Sequence, residues 1–412
     1  MSPVLLAICL APAAVATWIW AIRDTPHFFL YGVLSAMVLP VAIFEPAGTQ
    51  VALADLLLLV GLAGWAVAAA ARRVSPPWLR GNALIFPTAI FVLLAASSVA
   101  WSVDRSATFR SVIQLTEIVV FIPLAYASLP RELATVRNGL LLYIATSCVL
   151  ALVAAVLAAP EIAAGRFEAP TLDFGLNKNA AGSYIAAGLV LAYAFWLKAP
   201  DQTQRRLLVL AMAVEVAGLL ATLSRGSMIG AGLGILSVSL LLRKRRLVTG
   251  FGVLVLLVAF LSVVGPEAGS DLSTPGSYSS TKAREYTYNH AIQHIEERPV
   301  LGVGSGAYFD TVPQLGGGGF TDPHNMFLLT WAELGVFGVA ALIFLLVRFA
   351  RIWWGMTKLP DEAASLGVAA GGVSLSLLVH FQFDVTWTRG TTSLAFATMG
   401  MMLAVQRLSS SR

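Results

Sequence analysis

Residues 136–159 read VRNGLLLYIATSCVLALVAAVLAA, and from Asn138 to Ala159 no side chain is charged. A helix needs about 20 predominantly apolar residues to cross the hydrocarbon core of a bilayer, so this run reads as a membrane span. Similar runs recur at 3–22, 28–44, 51–71, 83–100, 111–129, 178–198, 207–223, 226–242, 247–265, 325–350, 363–380 and 391–407. They predict an all-α integral membrane protein with 12–13 transmembrane helices, depending on whether the first two runs cross separately. Composition points the same way: 58% of the residues are hydrophobic and 12% charged. A water-soluble domain carries about 25% charged residues to cover its surface. Residues 1–412 read as a single polytopic domain without internal repeats. Cys9 and Cys148 lie inside apolar runs and read as small packing residues, implying neither a disulfide framework nor a metal site. The first run lacks a basic start and a clear small-residue cleavage site, so it is expected to be a retained span.

Orientation follows from Lys and Arg, which accumulate in cytoplasmic loops. Of the 27 such residues, 18 fall in alternate loops and at the ends, among them Arg72, Arg73, Lys198, Arg205, the run Arg243 to Arg246, and Arg407. That side is expected to be cytoplasmic, which accounts for the net charge of +5 without invoking nucleic acid. The other nine lie on the opposite face: Arg105, Arg110, Arg166, Lys178, Arg225, Lys282, Arg284, Arg298 and Arg389. Membrane insertion does not call for cations there, so they are the informative ones. Several fall in or beside one large outer loop, residues 266–323. It begins with a Gly-, Ser-, Thr- and Pro-rich stretch, continues as a helical segment from Thr281 to Arg298, and ends in two glycine-rich pieces.

Three residues stand out. Arg225 sits in Leu223-Ser224-Arg225-Gly226-Ser227, the tip of a hairpin between two spans. Such an arginine either meets lipid headgroups or clamps an anion, since guanidinium matches phosphate oxygens bidentately. Arg284 shares one face of the outer helix with Tyr288, Ala291 and Ile295; alone it would read as a solvated charge. His324, in Thr321-Asp322-Pro323-His324-Asn325, opens the span at 325–350. It is either a polar helix-start residue or a general base, an imidazole being able to take a proton near neutral pH, with Asp322 or Glu333 as candidate orienting groups. His380, Asp384 and Arg389 gather at an outer helix end, where they line the same cavity or satisfy one another. His290 and His294 share a helix face but lack the glutamate of a zinc-binding HExxH, so a solvated face is expected. Gly302-Val-Gly-Ser-Gly306 lacks the Lys-Ser/Thr of a phosphate loop and follows no strand, so a tight turn is expected.

In order, Ser224-Arg225-Gly226 with a glycine-rich span behind it, Arg298-Pro-Val-Leu-Gly-Val-Gly-Ser-Gly306, Pro323-His324-Asn325-Met326-Phe327-Leu328 and Glu333-Leu-Gly-Val-Phe-Gly338 resemble the O-antigen ligase and polymerase family of bacterial envelope glycosyltransferases. The motif-bearing part spans about 215–345; the amino-terminal spans match in layout only. The resemblance implies a type C glycosyltransferase-like fold in the bacterial inner membrane, with the active site facing the periplasm. It implies a donor glycan on undecaprenyl pyrophosphate and, in the ligase branch, a lipid A-core acceptor. Membrane lipids are the surroundings; no nucleotide, nucleic acid, metal or other cofactor is expected. Carried over by motif, His324 is the catalytic residue, and Arg225 and Arg284 bind the substrate pyrophosphate. Lys178, Asn179, Arg389 and His380 take secondary places. The rival activities are an O-antigen polymerase and a protein O-oligosaccharyltransferase on the same carrier. A rival of another class is a lipid-linked glycan transporter, for which Glu117 and Glu215 would be the buried ionisable groups.

Overall fold

The computed structural model describes residues 15–38, 42–44, 51–71, 84–164, 177–243, 280–311, 322–384 and 390–410. Its helices are α1 (Leu53–Ala70), α2 (Ile85–Ser97), α3 (Arg105–Thr116), α4 (Ile122–Ser128), α5 (Leu133–Ala163), α6 (Lys178–Trp196), α7 (Gln202–Ala221), α8 (Arg225–Leu241), α9 (Ser280–Glu297), α10 (Tyr308–Thr311), α11 (Met326–Met356), α12 (Asp361–His380) and α13 (Thr391–Ser410). Among the described residues, four helical stretches are long and apolar enough to cross a membrane: Arg105–Ser128, Leu133–Ala163, Met326–Met356 and Asp361–His380. The chain is a multi-pass, essentially all-helical membrane protein. The expected run at 247–265, and most of that at 3–22, lie outside the described residues.

The run at 28–44 departs from expectation. A π-helical turn, Phe28–Val33, leads into Leu34–Met37, and a short strand follows, β1 (Ala42–Phe44), antiparallel to β2 (Val51–Ala52). Helix ends before Pro40, a residue with no N–H to donate and a ring that crowds the preceding turn. The run at 111–129 starts earlier than its apolar content suggests. Asp104 caps α3 by accepting from the backbone N–H groups of Ser106 and Ala107, so the helix begins at Arg105. A π-turn at Glu117–Phe121 then absorbs the missing N–H of Pro123.

The centre of the bundle is α12, the most buried of the four candidate spans, packed against α13, α8 and α6. Without a hydrophobic drive between helices in lipid, close approach of backbones through small residues is what holds spans together. Here the approach is made by Gly226, Gly230 and Gly234, one stripe along α8. A Cβ on Gly230 would lie 2.5 Å from the Ser376 carbonyl oxygen, and one on Gly234 3.1 Å from that of Gly372. At the same stripe's end a Cβ on Gly226 would stand 2.8 Å from Cβ of Phe383 and 3.3 Å from Nδ1 of His380. The stripe thus lays the start of α8 against the end of α12.

A second polar contact ties α5, α6 and α7. Glu215 is fully buried, and Ser147 donates to its Oε1 at 2.6 Å, in space left by Gly188. Replacing Ser147 with alanine would leave this carboxyl without its hydroxyl donor. An unsatisfied buried polar group costs about 1–3 kcal/mol, so a lowered thermal unfolding midpoint is expected. An unchanged midpoint would show that the bond contributes nothing to stability.

Candidate functional site

The site begins with a break in α11. Gly335 has φ 64° and ψ −164°, which only glycine adopts without strain, and a Cβ there would overlap the Val300 carbonyl. The break frees carbonyls that the helix would otherwise use. Val303 N–H donates to Ala332 O and Gly304 N–H to Glu333 O, both at 2.9 Å, while Val336 N–H donates to Pro299 O at 3.0 Å. The glycine-rich piece from Arg298 to Gly306 is therefore a strap seated in the broken helix. Its other side lies on the segment before α3: Trp101 Nε1 donates to Leu301 O at 2.9 Å, and Val103 N–H to Val303 O at 3.0 Å. Its N–H groups serve protein carbonyls, the Ser98 hydroxyl and the Glu333 carboxyl, which is what a structural turn does and a phosphate cradle does not. A Gly335→Ala change combines overpacking, worth about 1–3 kcal/mol, with left-handed strain. It is expected to lower the unfolding midpoint by several degrees; an unaltered midpoint would mean the strap is not docked there.

The first part of α11 carries His324 at its threshold. Asn325 caps the helix, accepting from Phe327 N–H and Leu328 N–H at 3.0 Å each. His324 itself is held at φ 49°, an uncommon conformation for a non-glycine residue that surrounding structure must enforce. Two bonds do so: His324 N–H donates to Oδ1 of Asp322 at 2.5 Å, and Met326 N–H donates to Phe381 O at 2.9 Å. The side chain is buried and its Nδ1 stands 3.5 Å from Oδ1 of Asp384. Oδ2 of the same carboxylate lies 3.1 Å from Nε2 of His380.

This corrects the expected orienting groups. Asp322 fixes the backbone of His324, and Glu333 reaches the backbone N–H groups of Gly306 and Tyr308 in and beside the strap. Asp384, sixty residues along the chain, takes the ring. The expected cluster at the end of α12 is real for His380 and Asp384; Arg389 lies outside the described residues.

The cations come from three other elements. Asn177 caps α6, its side chain accepting from Ala180 N–H at 2.7 Å, which places Lys178 and Asn179 in the first turn. The Asn179 carbonyl is 3.3 Å from the Ser227 hydroxyl, so α6 and α8 begin side by side. Arg225, half-buried, is the first residue of α8. Arg284 comes from α9, which Ala291 anchors to Val303, Tyr308, Leu329 and Ala332. Tyr308 strengthens this by donating to the Thr287 carbonyl at 2.8 Å. His290 and His294 bond with the Thr311 carbonyl and hydroxyl at 3.1 and 2.8 Å, so they join α9 to α10 and do not form the solvated face expected of them.

Lys178 lies close enough to both Arg284 and Arg225 for each guanidinium to repel its ammonium. The Nε of Arg284 is buried with no hydrogen-bond partner among the described residues. Beside it, burial pushes the Tyr288 hydroxyl above the usual phenol range; the Arg284 charge opposes this and Asp322 adds to it. Tyr288 is thus a proton-bearing donor at the same spot. Three helices thus bring Lys178 near two guanidinium groups, concentrating positive charge at this end of the bundle.

Other cations lie at the opposite end of the bundle. Lys198 and Arg137 stand 3.5 Å from Asp361 and Glu362 around a cavity of about 530 Å³, and Arg407 donates to Ala127 O at 3.2 Å. That cavity is at the opposite end of α6 and α12 from His324. Among the described residues no group of three or more His, Cys, Asp and Glu could hold a metal ion.

Fold and site define a multi-pass helical membrane protein with cations and a buried histidine gathered at one end of its bundle. Residues 208–343, about a third of the chain, match the Wzy_C family, described as O-antigen ligase. The match runs from α7 to α11 and so contains Arg225, Arg284 and His324. The family is one of glycosyl-transferring enzymes of the O-antigen ligase and polymerase type. No curated protein matches the chain.

Proposed function

We propose that this protein is an O-antigen ligase of the bacterial inner membrane. It transfers a glycan en bloc from undecaprenyl pyrophosphate to a sugar of the lipid A-core at the periplasmic face. The observation that carries the reading is the convergence of Lys178, Arg225 and Arg284 beside the His324–Asp384 pair.

The acceptor hydroxyl oxygen attacks the anomeric carbon and forms the new C–O bond. The bond from that carbon to the pyrophosphate oxygen breaks, and its electron pair leaves on the pyrophosphate. Direct displacement inverts the anomeric centre. The acceptor proton passes to Nε2 of His324, whose Nδ1 faces Asp384; the carboxylate favours the tautomer with the proton on Nδ1 and stabilises the imidazolium that forms. Arg225 and Arg284 take up the charge growing on the leaving group, each such interaction being typically worth about 10²–10³ in rate. Lys178 adds a third positive charge, and its neighbour Asn179 lies beside the hairpin of Arg225, its carbonyl 3.3 Å from Ser227. The polyprenyl tail stays in hydrocarbon by entering between spans.

A polymerase on the same carrier is the second reading. The single large outer loop, 266–323, favours the ligase, because polymerases of this type more often present two. The deciding experiment mixes the purified protein with undecaprenyl-pyrophosphate-linked O-antigen and O-antigen-free lipopolysaccharide, without nucleotide or added metal. Capped lipopolysaccharide on a gel is the expected product. Longer carrier-linked glycan without capping would replace the ligase by a polymerase. Glycosylated protein would point to an oligosaccharyltransferase, and donor moved across vesicles without transfer to a transporter.

A further inference from the structure

The displacement uses His324 and the cations but leaves two buried groups unexplained, His380 at 2% exposure and Ser227 at 0%. Their positions connect the two halves of the site. A carboxylate only accepts hydrogen bonds, so Asp384, lying between two imidazoles, takes N–H from Nε2 of His380 at 3.1 Å, while its other oxygen faces Nδ1 of His324 at the ion-pair distance of 3.5 Å. A neutral histidine that donates from Nε2 accepts at Nδ1. The group at that nitrogen is the Ser227 hydroxyl, 3.2 Å away. Ser227 in turn stands 2.8 Å from the hydroxyl of Ser224, the residue immediately before Arg225. Gly226, between them, leaves room for nothing larger than hydrogen against Phe383 and His380. A buried hydrogen-bonded chain therefore runs from Asp384, which faces His324, through His380 and Ser227 to Ser224 at the foot of Arg225.

We propose that His380 is a positioning residue that keeps the general base and the hairpin of Arg225 in one register. Its Nε2 face holds Asp384, and through it the ring of His324. Its Nδ1 face holds Ser227, and through it the start of α8. His380 touches neither donor nor acceptor. The assignment rests on the transfer chemistry proposed above and adds a residue whose two faces have separable effects.

The separation is the test. A glutamine amide reaches about as far as Nε2 and retains a donor for Asp384; an asparagine oxygen sits near Nδ1 and retains an acceptor for Ser227. In the reconstituted capping assay, His380→Ala and His380→Phe are expected to lower kcat by about 10- to 100-fold, the scale of a misplacement near 1 Å, and to raise KM for the donor severalfold. His380→Gln should recover most of kcat while KM stays raised, and His380→Asn should recover KM while kcat stays low. Parent values of both parameters in folded His380→Phe would overturn the proposal. So would equal recovery of both by Gln and Asn, since that is what plain packing gives. If Ala and Phe do not fold, the Gln and Asn pair decides alone. His324→Ala, run beside them, tests the underlying chemistry separately: full activity there removes the base whatever position 380 does.

Discussion

Changing His324 to alanine is expected to lower the capping rate by about 10²–10⁴-fold, the usual contribution of a positioned general base. The loss should fall on kcat, with KM for the polyprenyl donor little altered, because the imidazole acts on the acceptor proton and not on the pyrophosphate. Folding should survive. The helix start is held by the Asn325 side chain, by Asp322 on the backbone N–H, and by the Met326–Phe381 backbone bond, none of which needs the ring. Asp384→Asn keeps the volume but loses the acceptor charge between the two imidazoles, and should give a smaller loss in the same parameter. A His324→Ala protein that caps lipopolysaccharide within threefold of the parent rate would end the assignment. Proton transfer would then be unimportant, and the site would act by charge stabilisation alone.

The sequence revealed much of the helix layout because lipid imposes it. A span must be apolar along its whole length, so the run at 136–159 marks the helix Leu133–Ala163 with little room for error. The error at 28–44 has a local cause, since a proline interrupts an otherwise spanning run. The break in α11 was not readable. Gly335 is one of 35 glycines, and what singles it out is the docking of Val300 from a strap thirty-five residues earlier. The same limit applied to the partner of His324. Asp322 and Glu333 were favoured because they are near in sequence, yet the residue facing the ring is Asp384, brought in by packing at the end of α12. His380 and Asp384 are four apart at a helix end, so their grouping, with Arg389, is legible from spacing alone. That α8 would deliver Arg225 to the same place depended on which helix its glycine stripe meets, and one sequence does not say.

Arg225 carries the other large effect. Arg225→Ala should reduce transfer by about 10²–10³-fold, as expected for removing a preorganised group from a developing anionic charge. Arg225→Lys is the more telling change. It keeps the charge but replaces a planar fork by a point charge, so at least about a tenfold loss is expected if the guanidinium binds pyrophosphate oxygens in pairs. Full activity in Arg225→Lys would make the residue a general source of positive potential, a role that Lys178 and Arg284 already share with it. Arg284→Ala completes a double-mutant cycle. If both arginines hold the same leaving group, the second substitution should cost less than it does alone, because residues that share a ligand couple while independent sites add. Strict additivity would place them on different parts of the substrate. Arg225 would then keep the pyrophosphate, being tied through Ser224, Ser227, His380 and Asp384 to the base, and Arg284 would move to the glycan or the acceptor.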